Sequence, residues 1–239
     1  MQALRLADIA QYLQAPLSAG GEAVQVLDVC TDTRTLSAQA LFVALVGPRF
    51  DGHEFIAAAR GAGAAAVLVE REGDWPLPYI VVPDTRLALG RIARLVRERS
   101  RARVIGVTGS NGKTTVKEMS ASILAQVGPT LATQGNLNNE IGVPLTLFRL
   151  EPEHAYAVIE MGASAIGDID YLATIAQPDV GVVTNAGPAH LEGFGSLEGV
   201  ARGKGEMFAA LAPGAAAVVN ADDQYAPLWR ELAGNRRVL

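Results

Sequence analysis

At 239 residues, with 49% apolar and 19% charged side chains, the chain can bury a sizeable core, and its length fits one large or two modest domains. A formal net charge of -5 argues against a dedicated nucleic-acid surface, because neutralising phosphates takes a basic excess on at least one face. Cys30 is the single cysteine, which excludes an intrachain disulfide and a cysteine-rich metal site and fits a reducing compartment.

Residues 1 to 83 show short strand-like runs at Val24–Val29, Ala40–Val46, Ala64–Val69 and Tyr79–Val82, separated by turn residues, with helical patterns at Arg5–Leu13 and His53–Gly61. They predict a small mixed α/β unit. Seven arginines follow between Arg86 and Arg103, but Ala88, Ile92, Leu95 and Val96 recur beside them at helical spacing, so the stretch reads as the solvated face of an amphipathic helix starting near Asp84. From Arg103 onward, nearly continuous apolar runs at Val104–Thr108, Ala155–Met161, Val180–Asn185 and Ala215–Asn220 alternate with helical patterns. Strands of that kind are buried on both faces, as in a parallel sheet flanked by helices. The expected organisation is a first domain over residues 1–83 and an open, mostly parallel nucleotide-binding domain over 84–239. No segment reaches the ~18 continuous apolar residues of a membrane span, and Met1–Ala10 lacks the basic start and apolar stretch of a leader, so a cytoplasmic protein is expected.

The most specific chemistry is Gly106-Val107-Thr108-Gly109-Ser110-Asn111-Gly112-Lys113-Thr114-Thr115, after an apolar strand and before a helical pattern running through Val127. Glycines let backbone N–H groups turn inward on phosphate oxygens, and a helix N-terminus adds partial positive charge. Lys113 is placed to reach the β- and γ-phosphates, and the Thr114 hydroxyl to ligate Mg²⁺. The spacing is G-x-x-G-x-x-G-K-T; Val107 stands where the standard loop has its first glycine. Glu160 falls at the C-terminal end of its strand, the edge where open α/β sheets place ligands, and a carboxylate there suits Mg²⁺; by position alone it could equally cap or face solvent.

This variant loop resembles the ATP site of the Mur ligases and the related folylpolyglutamate synthetases. Gly135-Asn136-Leu137-Asn138-Asn139-Glu140-Ile141-Gly142-Val143-Pro144, His190-Leu191-Glu192-Gly193-Phe194-Gly195-Ser196 and Lys204-Gly205-Glu206-Met207-Phe208 are similar to the branch that adds D-alanyl-D-alanine. Thr31-Asp32-Thr33-Arg34, Leu41–Leu45 and Asp51-Gly52-His53 resemble that family's uridine-nucleotide-binding domain, which makes Thr33 and Arg34 candidates for the UDP-sugar end of the substrate. A tight turn capped by Asp32 accounts for the same residues.

The resemblance implies an ATP-dependent amide ligase acting on UDP-N-acetylmuramoyl-tripeptide and D-alanyl-D-alanine through an acyl phosphate, the alternatives being a related amino-acid-adding ligase of the same family or a fragment that binds its ligands without joining them. It implies two Mg²⁺ ions, His190 assisting the second, and Lys204 converted by CO₂ to a carbamate. The carbamate needs a neutral amine, hence a lysine whose pKa is lowered by burial or neighbouring cations. Lys117 and Arg202 read instead as ordinary surface cations, His154 as a surface residue and His53 as a packed one. Asn138 and Asn139 both carry amides suited to phosphate oxygens or the acyl intermediate, and spacing does not choose between them. The resemblance further implies a C-terminal ligase domain closing over ATP, absent from this sequence, which stops at Leu239. A monomer is assumed.

Overall fold

The computed structural model describes residues 1–239, which form two compact units, Met1–Val96 and Arg97–Leu239.

In the first unit, β1 (Leu4–Arg5) pairs antiparallel with β2 (Gln25–Val26), flanking helix α1 (Leu6–Leu13). The sheet proper is parallel, in the order β3 (Asp28–Cys30), β4 (Ala40–Val43), β7 (Ala66–Val69), β8 (Tyr79–Val81). A small hairpin of β5 (Val46–Gly47) and β6 (Phe50–Asp51) leads into a 3-10 turn, Gly52–Phe55, and α2 (Ile56–Gly61). The run expected as one strand at Val24–Val29 is shared between two sheets: β2 pairs with β1, β3 pairs with β4, and exposed Leu27 lies between them. Phe42, Ala44, Ile56, Ala59, Val67 and Val69 form the core under α2.

Helix α3 (Thr85–Arg99) starts where the sequence placed it, because the Asp84 carboxylate accepts the N–H groups of Arg86 and Leu87. Its apolar face, Ala88, Leu89, Ile92 and Ala93, is buried, and Arg91 donates to the Tyr12 and Leu13 carbonyls. Most of α3 therefore packs with the first unit. Arg86, Arg91, Arg94 and Arg99 stay exposed or half-exposed as expected, but Arg97, its side chain 11% exposed, donates to the Ala176 and Gln177 carbonyls and pairs with Asp179.

The second unit is one six-stranded parallel sheet, ordered β10 (Thr130–Ala132), β11 (Tyr156–Glu160), β9 (Arg103–Thr108), β12 (Val180–Val183), β13 (Ala216–Val219), β14 (Arg237–Val238). Helices α4 (Lys113–Leu124), α5 (Gly142–Leu147), α6 (Asp168–Ala176), α7 (Leu191–Phe194), α8 (Leu197–Ala209) and α9 (Ala226–Ala233) connect and cover it. The parallel α/β architecture expected from the apolar runs is what forms. Short edge strands β10 and β14 carry too few residues to announce themselves in sequence.

Chain order reverses around β9: the chain passes outward to β10, returns through β11, then crosses to β12. That reversal opens a crevice at the carboxyl ends of β9, β11 and β12. Helix α8 lies close over β9 and β12 because Gly106 and Gly181, paired across the sheet, leave room for Met207; a Cβ on either would come within 3.0 Å of its side chain. Trp229 of α9, fully buried, packs edge-on against Phe208 and donates its indole N–H to the Ala201 carbonyl, fixing α8 from behind. These contacts set the position of Lys204, one turn before Met207.

Candidate active site

The phosphate loop joins β9 to α4 as the motif predicts. Gly109 and Gly112 take positive φ values of 143° and 78°, open to glycine with little strain, and a Cβ on Gly109 would lie 2.0 Å from the Thr184 hydroxyl. The Lys113 ammonium rests on the loop's own carbonyls, 2.8 Å from Gly109 O and 3.1 Å from Ser110 O.

Glu160, only 3% exposed, ends β11 beside this loop. Its Oε2 accepts the Thr114 hydroxyl at 2.9 Å, its Oε1 accepts the Asn138 amide at 2.9 Å, and its backbone N–H donates to Thr133 Oγ1. Asn138 can come so close because Gly162 has no side chain: a Cβ there would stand 2.9 Å from Asn138 Oδ1. Asn139 is used differently, its Oδ1 accepting the N–H groups of Ile141 and Gly142 at the start of α5. The geometry thus separates two asparagines that spacing could not.

Lys204 is 2% exposed, with its ammonium 3.2 Å from Ala163 O and 5.2 Å above the Phe194 ring. Desolvation, reinforced by the nearby charge of Lys113, pushes its pKa down from 10.5 to about 8, against the opposing pull of Asp168 and Glu206. Glu206 accepts the N–H groups of Gly167 and Asp170 at the start of α6, tying α6 to α8, and burial raises its own pKa.

His190 is exposed, with φ 56° at the cap of α7. The turn it opens presses on the Ser164 backbone, where a Cβ at Gly193 would lie 1.9 Å from the carbonyl oxygen.

Lys113, Asn138, Asn139, His190 and Lys204 line one cavity of about 230 Å³, together with Gly109, Ser110, Ser164, Asp168 and Tyr171. Residues scattered over nearly a hundred positions therefore converge. Asp168 had no motif around it; its Oδ2 accepts the N–H groups of Ser164 and Ala165, shaping the cavity wall. Thr33 and Arg34 belong to the first unit. There the Arg34 guanidinium grips Asp32 through Nε and Nη2, holding that carboxyl down at about 2, and the Arg34 N–H caps on Asp32 Oδ1. His53 packs as expected, buried against Trp75 with Nε2 accepting the Glu70 N–H.

Lys117 corrects the sequence reading. It is not a surface lysine but 1% exposed, one turn beyond Lys113 on the face of α4 toward β10, with its ammonium donating to Thr133 O and paired with Glu118.

No three His, Cys, Asp or Glu side chains gather into a ready-made cation cage. The oxygen donors that converge are the Thr114 hydroxyl and the Glu160 carboxylate. That set suits Mg²⁺, which keeps several waters and binds through one or two carboxylates plus substrate phosphates.

An open parallel sheet with a lysine-bearing phosphate loop at its switch point, faced by a buried carboxylate, defines a phosphate-loop nucleotide-binding protein. Comparison with known proteins narrows this. Residues 107–239 match the Mur ligase middle domain, and residues 26–97 match the Mur ligase family, catalytic domain. The chain belongs to the Mur ligase family. It is 52% identical over 210 residues to the UDP-N-acetylmuramoyl-tripeptide--D-alanyl-D-alanine ligase of Escherichia coli K12, covering 88% of this chain and 46% of that protein. Against the enzyme of the same name from Haemophilus influenzae, identity is 45% over 98% of this chain and 52% of that protein. Among solved structures, MurF from Acinetobacter baumannii superposes with a TM-score of 0.95 at 39% identity, covering all of this chain and 53% of that one. MurF ligase from Thermotoga maritima in complex with ADP gives 0.78 at 36% identity, over 89% of this chain and 49% of that one. The chain spans about half the length of the relatives it matches.

Proposed function

We propose that this chain carries the nucleotide and UDP-sugar sites of an ATP-dependent amide ligase that joins D-alanyl-D-alanine to UDP-N-acetylmuramoyl-tripeptide in cell-wall precursor synthesis. The observation that carries the reading is the convergence of Lys113, Thr114, Glu160, Asn138, His190 and Lys204 around one crevice at the sheet's switch point. The likeness to ligases of that name over 88% and 98% of the chain supports the choice of substrate pair. These nucleotide-linked substrates suit a cytoplasmic protein, and no helix is long and apolar enough to cross a membrane.

In this reading the tripeptide carboxylate attacks the γ-phosphorus of ATP, the bond to ADP breaks, and an acyl phosphate forms. The amine of D-alanyl-D-alanine then displaces phosphate to give the amide. Little covalent work falls to the protein; positioning and charge stabilisation carry the rate. The α4 N-terminus and Lys113 hold the phosphates, with Lys113 leaving the loop carbonyls for the anion. Thr114 and Glu160 would hold Mg²⁺, which supplies charge neutralisation when bound, and Asn138 fixes the orientation of the Glu160 carboxylate.

Lys204 is set up for carbamylation. Its neutral amine forms an N–C bond to CO₂ and releases one proton, leaving a carboxylate where an ammonium stood. With its pKa lowered to about 8 by burial, far more of it is neutral near pH 7.5 than of an exposed lysine. That carboxylate and His190 would hold the second Mg²⁺. Thr33 and Arg34 are assigned to the UDP-sugar end.

Calorimetric titration with UDP-N-acetylmuramoyl-tripeptide and with the dipeptide form, in Mg²⁺ and a non-hydrolysable ATP analogue, tests the reading. Selective binding of the tripeptide form is expected; equal binding of both removes the support for this substrate.

A further inference from the structure

We propose that Asn185, legible in the sequence only as the end of a strand, is a positioning residue that holds the phosphate loop in the shape a nucleotide's phosphates require, with Thr184 as its partner. The inference rests on the nucleotide reading above.

Two of the loop's N–H groups are already spoken for. The Ser110 N–H donates to the Asn185 carbonyl at 3.0 Å, and the Asn111 N–H donates to Asn185 Oδ1 at 3.0 Å. Asn185 Nδ2 donates back to the Asn111 carbonyl at 3.1 Å, so one carboxamide clasps both the N–H and the C=O of a single residue. The Thr184 hydroxyl donates to that same carbonyl at 2.6 Å. Ser110 and Asn111 therefore shape the loop, and the first-turn N–H groups of α4, Lys113 to Thr115, are left for phosphate oxygens.

The clasp is itself anchored. The Thr184 N–H continues the ladder to Thr108 O, Asn220 Nδ2 donates to Thr184 O at 2.9 Å, and Asp223 Oδ2 accepts the Ala186 N–H at 2.9 Å. A turn with glycines at 109 and 112 loses more backbone freedom on ordering than other sequences do. Held in advance from the ends of β12 and β13, it does not charge that loss against ligand affinity. The resting place of Lys113, on Gly109 O and Ser110 O, depends on the same loop shape.

The test is Mg²⁺-dependent binding of a fluorescent ADP derivative to the 239-residue chain and to N185A, T184V and T184S, each at a temperature where its melting curve shows it folded. N185A and T184V are expected to weaken ADP by about tenfold, and T184S, which keeps the hydroxyl, to stay within about threefold of the parent. A folded N185A that binds ADP as tightly as the parent overturns the proposal, even if its melting temperature falls, since that pattern marks a purely structural role. If N185A does not fold, T184V against T184S decides by the same criterion. A parent chain that binds no ADP instead overturns the nucleotide reading itself, and this inference with it.

Discussion

The hydroxyl of Thr114, in the first turn of α4, donates at 2.9 Å to Oε2 of Glu160, at the end of β11, so the phosphate loop and the neighbouring strand share one buried carboxylate. With Asn138 holding the other oxygen, the carboxylate has a fixed orientation before any ligand arrives. Glu160→Gln keeps the size and can still accept from Thr114, but it removes the charge that a cation needs. Nucleotide titration with and without Mg²⁺ is expected to show the Mg²⁺-dependent gain in affinity reduced by about tenfold or more. An undiminished Mg²⁺ effect contradicts the assignment.

Lys204 makes stability depend on alkaline pH in a stated direction. Its folded pKa, about 8, lies below the unfolded value, so between about 8 and 10.5 the unfolded chain binds more protons and stability rises with pH. Lys204→Met should remove that rise and add about 1–3 kcal/mol near pH 7, where the buried ammonium costs most. Urea denaturation from pH 7 to 10, with bicarbonate excluded, measures both.

At the acid end the first unit responds. Asp51 is held well below the usual carboxylate range by the Arg71 guanidinium first, then by the His53 N–H. A depressed carboxylate contributes stability that is present above its unfolded value, about 3.9, and lost as pH falls toward the folded one. Asp51→Asn should therefore lower stability at neutral pH and flatten its decline on acidification, as followed by thermal melting between pH 6 and 3.

Packing behind the site carries its own cost. Trp229→Ala leaves a cavity against Phe208 and removes the indole bond to the Ala201 carbonyl, and is expected to cost about 3–5 kcal/mol in denaturant unfolding. Gly193→Ala drives a methyl into the Ser164 carbonyl oxygen, and about 1–3 kcal/mol with a displaced His190 turn should follow.

The sequence disclosed what depends on local pattern. The continuous apolar runs of β9, β11, β12 and β13 announced a parallel sheet, and Gly109, Gly112 and Lys113 announced the turn between β9 and α4, because backbone conformation and burial are written into neighbouring residues. The Lys204 environment was legible only through a family motif, since its burial and its contacts with the Ala163 carbonyl and the Phe194 ring involve other elements. Nothing local foretold that Lys117 turns inward onto Thr133, that Asn185 clasps Asn111, or that Asp168 walls the cavity. The Lys117 and Asn185 contacts join separate elements and are settled by the strand order, whereas Asp168 bonds only to Ser164 and Ala165 just before it and owes its place on the cavity wall to how α6 packs. Run lengths misled where one stretch served two sheets, as at Gln25–Cys30.

The central claim is that the crevice at β9, β11 and β12 binds a nucleotide through Lys113. Calorimetric titration of the chain with ADP and Mg²⁺, against Lys113→Met, tests it most directly. Saturable binding at one site, weakened about tenfold or more by the substitution, is the result expected. No binding to the folded chain, or equal binding by both proteins, contradicts it.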